Sequence, residues 1–427
     1  MKPINILFKV TFLVTLFFLV SSCQKDEEKG AESKNDLFNW AEGKDSTINT
    51  YSFLDEKLFK IVLNEEDIFK EFNLSDIMSN YRLLNLENKE SVLLGDIDKI
   101  IFSDSLIFVL DLYLNNSIQI FDFQTGEELM VFIPTGEGPG EIKSISDFDV
   151  DFHNKRIFVH DESSAKLLEF DFGGGFFSEN KLPLRAHSFK ITSTRDILFS
   201  SVNNLNDHLP IAALNDLIEL DSNFQIVSGF KYPILEKRKS SFLPRDLMRA
   251  NEGRITYFHR YSSEILGVDI FKREISRILS VDLQEFGLSK NDLNSVDEEF
   301  VNKRKADRKF FGFGHHFVSD SWIGMKFDRF GGQELQLFYN TNEDKFVSGT
   351  KINFDFEDLI SFSFPLACSS NTCISVLKMQ NFKNLNLEEF FSALRKDKRD
   401  FSKIEKFIRS VEDFDQPVLL IFDLKEP

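Results

Sequence analysis

The sequence predicts an all-β fold, a six-bladed β-propeller with a short helical insertion in the last blade. Two observations predict it: apolar and polar residues alternate at the period of β-strands, and matched pairs of such strands recur about fifty residues apart. Residues 105–111 and 117–123 form the first pair, before a turn at 124–126. Residues 156–161 and 166–172 form the second pair, before a turn at 173–175. Two matched pairs at one offset indicate an internal repeat of four-stranded units.

Weaker copies extend the repeat to six units. Their approximate bounds are 86–141, 142–184, 185–233, 240–288, 308–352 and 355–424. Each small antiparallel sheet is apolar on both faces and cannot bury them alone, so neighbouring sheets must stack. A ring ends the stacking without leaving an uncovered face. Two sandwich domains, the alternative all-β arrangement, would leave the regular unit length unexplained.

Closure of such a ring usually requires one sheet that takes strands from both ends of the chain. We expect residues 81–86 to provide the early strand and to pair beside residues 418–424. The last unit is also interrupted at about 385–413 by two stretches whose apolar residues have helical spacing, with Ser402 and Glu405 at capping-box spacing. We expect the apolar stripes of these helices to cover the side of the propeller, and partner binding is the alternative.

The first 23 residues have the features of an export signal. Lys2 and Lys9 precede an apolar run over residues 10–20, which is too short for a helix that spans a bilayer, since about 20 residues are needed. A cleaved signal peptide over residues 1–22 is therefore predicted. The Val-Ser-Ser-Cys sequence that ends at Cys23 resembles a bacterial lipobox, in which the cysteine becomes the lipidated first residue. Several acyl chains hold a protein on a membrane, whereas one chain binds only marginally.

The residues after Cys23 are polar and charged. The run at 24–28, Gln-Lys-Asp-Glu-Glu, resembles the acidic signal that directs Bacteroidota lipoproteins to the outer face of the outer membrane. We therefore expect a lipid-anchored protein exposed at the cell surface, with the periplasmic face of the outer membrane as the alternative. Residues 23–50 are predicted to be a flexible acidic tether, 51–80 a segment that leads into the propeller, and 81–427 the propeller itself.

Charge and cysteine content limit the partners. The formal charge is −18, and removal of residues 1–22 deletes two lysines and no acidic residue, which leaves −20. This charge repels nucleic acids, so no nucleic-acid partner is expected. In an oxidising compartment, Cys368 and Cys373 are predicted to close a loop between two strands as a disulfide. Two cysteines cannot fill a tetrahedral zinc site alone, and neither a metal nor a cofactor is predicted.

The sequence of residues 134–141, Pro-Thr-Gly-Glu-Gly-Pro-Gly-Glu, resembles the glycine-proline-glycine-glutamate turn of six-bladed β-propeller lipoproteins abundant in Bacteroidota. The resemblance covers nearly the whole mature chain, including residues 74–100, 261–287 and 416–425. Leu266 and Leu283 depart from it, because aromatic residues or isoleucine are commoner at those positions. The function of that family is undefined. The resemblance therefore implies a fold and a location but no catalytic residue.

Two further patterns have structural explanations. The glycines of residues 136–140 lack the lysine and the following helix of a phosphate-binding loop, so a tight turn between blades is predicted. Asp147, Asp149 and Asp151 have the spacing of the first ligands in a calcium loop. Phe152 and Phe158 occupy the positions where that loop needs glycine and glutamate. We interpret the three aspartates as one polar face of a strand.

The candidate ligand-binding residues are His315, His316, Arg308 and Lys309, which lie near the start of the fifth unit, just before a strong strand. Arg308 and Lys309 end a basic run that includes Lys303, Arg304 and Lys305. We expect these groups to bind an anionic glycan or a peptide carboxylate in the axial channel of the ring. The alternatives are packed or exposed histidines and a solvated connector. Adjacent histidines on a strand cannot chelate one metal unless the strand is bulged.

These observations favour a binding or protein-interaction module with an extracellular glycan or protein partner. An extracellular propeller hydrolase or lyase that acts on a sugar or lactone is one alternative, and a structural subunit of an envelope complex is another. No nucleophile elbow or zinc-protease motif occurs in the chain, so no catalytic residue is assigned. Fold class alone does not choose among these functions.

Overall fold

The computed structural model describes residues 49–426, apart from 88–91, 193, 202–205, 207, 232–246, 252–253, 260, 290–291, 293–307, 330, 354–361, 378, 395–401 and 412. The predicted signal peptide, Cys23 and the tether up to residue 48 lie outside the described residues. Lys303, Arg304 and Lys305 also lie outside them. The described part of the chain forms six antiparallel sheets in a ring, so the predicted six-bladed propeller is confirmed.

Each blade has four strands, and the first strands of neighbouring blades lie against one another around the axis. From the axis outwards, the strands are Lys99–Phe102, Leu106–Asp111, Ser117–Asp122 and Glu128–Phe132 in blade 1; Asp147–Asp151, Arg156–Asp161, Lys166–Asp171 and Phe176–Lys181 in blade 2; Ser188–Ile191, Ile197–Ser200, Leu217–Leu220 and Ile226–Phe230 in blade 3; Met248–Asn251, Arg254–Phe258, Glu264–Asp269 and Glu274–Asp282 in blade 4; Phe310–Val318, Trp322–Arg329, Gln333–Asn340 and Lys345–Gly349 in blade 5; and Ala367–Ser369, Thr372–Leu377, Val418–Leu424 and Met78–Asn85 in blade 6.

Short helices and additional strands accompany the blades. The α-helices are Glu65–Phe69, Pro210–Leu214, Leu387–Leu394 and Ser402–Ser410, and the additional strands are Asn49–Thr50, Ser52–Val62, Glu71–Asn73 and Lys351–Asn353. None of the helices in the described part of the chain is both long enough and apolar enough to cross a membrane.

The core consists of six layers of buried apolar side chains, one between each pair of neighbouring blades. Between blades 1 and 2, for example, Phe108 and Ile118 pack in one cluster with Phe148 and Val159. Between blades 6 and 1, Ile374 and other residues of blade 6 pack against blade 1. Both faces of every blade are therefore buried, as the stacking argument requires.

Ring closure joins the two ends of the propeller sequence in blade 6. Met78–Asn85 pairs antiparallel with Val418–Leu424, with Leu83 opposite Leu420. The pairing expected for residues 81–86 and 418–424 is thus confirmed. Blade 5 also holds the C-terminal end, since Trp322 donates its indole N–H to the Lys425 carbonyl at 2.8 Å.

Residues 49–76, here called the N-terminal strap, run along the outer edges of blades 3, 4 and 5. Asn49–Thr50 pairs parallel with the outer strand of blade 3, and Ser52–Val62 pairs parallel with the outer strand of blade 4. Glu71–Asn73 then pairs with Lys351–Asn353, which follows blade 5. The tether predicted for residues 23–50 thus overlaps the strap at residues 49 and 50, whose backbone pairs with the outer strand of blade 3.

A buried hydrogen-bond cluster holds the start of the strap. The Tyr51 hydroxyl donates to Glu219 Oε2 at 3.0 Å, and Arg273 Nε lies 3.3 Å from the same oxygen. Burial, together with the neighbouring Glu219 carboxylate, raises the pKa of Tyr51 above its ordinary value, so its hydroxyl remains a donor. Side chains from the strap, blade 3 and blade 4 therefore meet at one carboxylate.

The helical insertion packs on the propeller. Phe391, Ile404 and Ile408 are buried in the cluster between blades 5 and 6. On the outer side, Arg409 reaches Glu388 at 2.7 Å and so joins the two helices. The apolar stripes thus cover the propeller, as the sequence analysis expects.

The glycine-rich segment is a tight turn between blades 1 and 2. The Gly138 N–H donates to Glu141 Oε2 at 2.6 Å, and a Cβ atom at Gly136 would lie 2.1 Å from the same oxygen. Gly140 has a φ of +78°, which L residues with a side chain rarely adopt. These contacts explain the spacing of the glycines without a bound phosphate.

His160 is fully buried between blades 2 and 3, where its ring contacts Phe189 and Phe199 edge-on. Neither of its ring nitrogens has a hydrogen-bond partner. Burial lowers the pKa of His160 from 6.5 to about 4, because a protonated ring would lose its hydration there.

We predict that His160 lowers the free energy of unfolding as the pH falls from about 6.5 to about 4. In that range the unfolded state binds a proton that the folded state does not, so the free energy of unfolding decreases by about 1.4 kcal/mol per pH unit from this group. The contribution is fully present above pH 6.5. Urea unfolding of His160→Phe should lack this slope, whereas His153→Gln, at an exposed turn, should retain it. Equal slopes for His160→Phe and the unmodified protein would contradict the prediction.

Candidate functional site

The two faces of the ring carry different loops. The inner strands begin on one face, here called the upper face, and end on the lower face. Because neighbouring strands in a blade are antiparallel, the upper face carries the loops between blades and the loops between second and third strands. The lower face carries the other hairpins. Loops on a rigid scaffold commonly hold binding residues, so a binding site is expected in the concave parts of these faces.

A pocket of about 590 Å³ lies on the upper face, across blades 1, 2 and 3. It is formed by the loop after the second strand of blade 1, the corresponding loop of blade 2, and the segments that lead into blades 2 and 3. The polar and aromatic side chains that line it include Tyr113, Asn116, Ser144, Glu162, Ser163 and Arg185.

Arg185 is the cationic group of this pocket, and its backbone is fixed by Asn206. The Arg185 N–H donates to Asn206 Oδ1 at 2.8 Å, and Asn206 Nδ2 donates to the Arg185 carbonyl at 2.7 Å. Asn206 is itself fully buried. Within the described ranges, no carboxylate lies within ion-pair distance of the Arg185 guanidinium. Asn206 therefore fixes the main chain at Arg185, and the guanidinium is available to a ligand.

Glu162 provides the opposite charge. Its Oε2 lies 2.9 Å from His187 Nδ1, and its backbone N–H donates to Ser146 Oγ at 3.0 Å. The loop is further held by Asp161, which accepts hydrogen bonds from the Ser163 and Ser164 hydroxyls. Burial raises the pKa of Asp161, but these hydrogen bonds more than offset that effect and keep it below its ordinary value. The loop thus presents its side chains on a rigid support.

Blade 1 adds an aromatic side to the pocket. Tyr113 is 70% exposed. The neighbouring Asn116 adopts a φ of 49° and accepts a hydrogen bond from the Ile145 N–H at 2.9 Å, which ties the loop of blade 1 to blade 2. An exposed aromatic ring beside a guanidinium, a carboxylate and hydroxyls suits a polar ligand with one flat or apolar face.

A ladder of buried ion pairs lies along the axis below this pocket. Lys99 of blade 1 reaches Asp147 of blade 2 at 2.7 Å, and Asp147 also accepts the Phe189 N–H of blade 3 at 2.9 Å. Asp149 in turn binds Lys190 of blade 3 at 3.1 Å. All four ionised side chains are buried. The polar face predicted for the aspartates is therefore an inter-blade contact.

Neither lysine partner is predicted from the sequence. Each is a single charged residue in an otherwise apolar inner strand, in Lys-Ile-Ile-Phe at 99–102 and Ser-Phe-Lys-Ile at 188–191. A lone lysine at the start of such a strand, or within it, indicates a buried acidic partner, because lysine is rarely buried unpaired. Arg185 and Glu162 carried no comparable signal, because the pocket combines segments that are far apart in the sequence.

Of the four predicted ligand residues, Arg308 and Lys309 immediately precede the inner strand of blade 5, and His315 and His316 lie within it. Arg308 is exposed with a φ of 49°, and Lys309 Nζ lies 3.2 Å from Asp292 Oδ2. His316 is fully buried, with its ring nitrogens 2.9 Å from Thr256 Oγ1 and from the Gly314 carbonyl. His315 is half-buried. Ligand binding by these residues stays a prediction.

The strand that carries the histidines is bulged, since its register shifts between Gly312 and His316. Adjacent histidines in a bulge can share a metal, but both nitrogens of His316 are in contact with protein groups. No group of three or more His, Cys, Asp or Glu side chains gathers as metal ligands would among the residues that the structure describes. In blade 6, Cys368 and Cys373 stand opposite each other and form a disulfide.

Fold and pocket together define a closed six-bladed propeller with a polar pocket on its upper face. Residues 58–423 match the family described as a domain of unknown function, DUF4934, and the chain belongs to that family. No curated protein matches the sequence.

Two solved structures from Bacteroides share the fold. A Bacteroides fragilis protein described as exported has 16% sequence identity and a TM-score of 0.68, with 87% of this chain and 100% of that chain covered. A member of the DUF4221 family from Bacteroides vulgatus has 10% identity and a TM-score of 0.51, with 82% of this chain and 97% of that chain covered. At these identities the likeness is one of fold.

We predict that the axial ladder contributes strongly to stability. Lys99→Met would leave Asp147 buried without its cation, so the free energy of unfolding should fall by about 3–5 kcal/mol. Adding Asp147→Asn should recover part of the loss, because the amide oxygen still accepts the Phe189 N–H.

Denaturant unfolding provides the measurement for both variants. Lys345→Met, which breaks an exposed pair with Glu343, is the control and should cost less than about 1 kcal/mol. Equal effects of Lys99→Met and Lys345→Met would show that the ladder is not a strong contributor.

Proposed function

We propose that the protein is a lipid-anchored binding module of the bacterial outer membrane, exposed at the cell surface, which binds an anionic glycan or a peptide carboxylate on the upper face of its propeller. The observation that carries this proposal is the pocket over blades 1, 2 and 3, where Arg185 provides a cation on a main chain held by Asn206. An extracellular protein partner could supply the same carboxylate chemistry.

The chemistry of the pocket supports a polar anionic ligand. The Arg185 guanidinium can donate two hydrogen bonds to one carboxylate, and such charge-assisted pairs are stronger than neutral ones. Tyr113 offers a ring on which the apolar face of a sugar can stack. Hydroxyl and amide groups of Ser144, Ser163 and Asn116 suit the remaining polar atoms of a ligand.

The location rests on the N-terminal sequence. A short apolar run that ends in Val-Ser-Ser-Cys23 and is followed by an acidic stretch supports export, lipidation and surface display. The Bacteroides fragilis protein of similar fold is also described as exported. A formal charge near −20 after cleavage makes a second, electrostatic anchor on anionic lipid unfavourable.

Blade 5 contributes the other predicted ligand residues. Arg308 and Lys309 precede the inner strand of blade 5, as Ser144 and Arg185 precede those of blades 2 and 3, so both groups belong to the upper face. His315 lies farther along the same strand, and His316 supports the strand from within the core.

We predict that Arg185→Met raises the Kd for an anionic glycan roughly 10- to 100-fold, because a charge-assisted hydrogen bond contributes about 1.5–3 kcal/mol. The measurement is an array of glycans with and without uronic or sialic acid, followed by calorimetry with the tightest binder. Arg195→Met, on the lower face of the same blade, is the control and should leave Kd unchanged.

Other results would move or change the function. Binding that survives Arg185→Met but is lost on alanine substitution of Arg308, Lys309 and His315 would move the site to blade 5. Conversion of a bound sugar or lactone to product, abolished by Glu162→Gln, would favour the hydrolase or lyase. Absence of binding to every anionic glycan and peptide tested would contradict the proposal and favour a structural subunit.

We predict that Cys23→Ala releases the protein from membranes, because the acyl chains on this cysteine are the only strong anchor in the sequence. Fractionation of cells followed by a high-salt wash and immunoblotting measures the change. Protease treatment of intact cells, with a periplasmic protein as control, then distinguishes surface from periplasmic exposure. Retention of the Cys23→Ala protein in the washed membrane fraction would show that the anchor is not this lipid.

A further inference from the structure

A second pocket, of about 600 Å³, lies on the lower face of the ring at blade 4. Its walls come from three parts of the chain: Ile191 at the end of the inner strand of blade 3, Ile255 and Val268 within blade 4, and Leu54 of the N-terminal strap. This volume falls within the range of about 300–1,000 Å³ found for small-molecule sites.

The lining of this pocket is mainly apolar and includes one prominent aromatic residue. Phe271 lies in the hairpin between the third and outer strands of blade 4 and is 68% exposed. The free energy falls when a ligand covers a large apolar side chain at the rim of an apolar pocket. The pocket therefore suits a ligand with an apolar body.

Four charged side chains line the rim, two basic and two acidic, and an anionic group on the ligand would pair with Arg254. Lys272 and Asp269 neutralise each other at 3.3 Å, and Asp269 also accepts the Lys272 N–H at 3.0 Å. Arg254 is exposed at the pocket and forms no ion pair with any carboxylate in the described ranges. From this arrangement we infer that the lower pocket binds a small amphipathic anion, with its apolar body on Phe271 and Leu54 and its anionic group at Arg254.

Glu274 lines the same pocket and provides a second test of the charge of the ligand. Its carboxylate repels an anion, so its neutralisation should strengthen binding while loss of Arg254 weakens it. A ligand held by apolar contact alone would respond to neither change.

The strap makes this site dependent on the N-terminal part of the chain. Leu54 belongs to the strand Ser52–Val62, whose pairing with blade 4 begins at Ser52 and Glu274. The hydrogen bond from Tyr51 to Glu219 fixes the strap just before this point. A ligand that contacts Leu54 therefore stabilises the docked strap, since it binds only when the strap is in place.

The probe is 8-anilinonaphthalene-1-sulfonate, which joins two aromatic groups to one sulfonate, and the readout is its fluorescence on titration with the whole mature protein. We expect Phe271→Ala and Arg254→Met each to raise the Kd roughly tenfold, and Glu274→Gln to lower it roughly threefold. In hydrogen exchange, the probe should slow the amides of residues 52–62.

Two matched variants control for non-specific adsorption. Phe346→Ala changes an exposed phenylalanine, 37% accessible, in the corresponding hairpin of blade 5, and Lys155→Met removes an exposed cation from the first hairpin of blade 2. Both should leave the Kd unchanged. The inference is overturned if Arg254→Met has no effect, if the controls weaken binding as much as the pocket variants, or if residues 52–62 exchange at the same rate with and without the probe. None of these results depends on the ligand of the upper pocket.

Discussion

The whole propeller depends on the pairing of Met78–Asn85 with Val418–Leu424 in blade 6. Six apolar layers separate the blades, and each layer is buried only because the ring is closed. An open arc would expose one face of its first blade and one face of its last. Backbone pairing between the two ends of the propeller sequence therefore does more than complete one sheet, since it removes the last uncovered apolar surfaces.

The N-terminal strap pairs with the outer edges of blades 3 and 4, which would otherwise be unpaired. Exposed edge strands favour pairing with other chains, and parallel strands from the strap cover the edges of blades 3 and 4. The cover is held by polar contacts such as Tyr51 with Glu219, and by burial of strap residues Ile61 and Leu63. In the same way, the strap adds a wall to the lower pocket and couples that pocket to the N-terminal end of the chain.

The polar residues that line the upper pocket lie in the loops and lead-in segments between strands. The upper pocket is formed by loops of blades 1 and 2 and by the segments that lead into blades 2 and 3, and the ion pairs of Lys99 and Lys190 join those blades below it. Hydrogen bonds of Asn206 and Asp161 hold the segments that form the pocket, and the side chains of Tyr113 and Arg185 line it. This combination suits recognition, because the ordering of the site is completed on folding.

Features that follow from local pattern are predictable from the amino-acid sequence: six strand-rich units, the closing strand, the amphipathic insertion and the turn at Gly136–Gly140. Strand and helix periods and glycine conformations are properties of neighbouring residues, so they can be predicted without the fold. The remaining features depend on contacts between distant segments. The strand Ser52–Val62 escaped detection because a register shift between Leu54 and Lys57 breaks its period. Asp147 and its partners, His316 and Thr256, and the lining residues Arg185, Tyr113 and Glu162 are far apart in the chain, and the stacking of neighbouring blades brings them together.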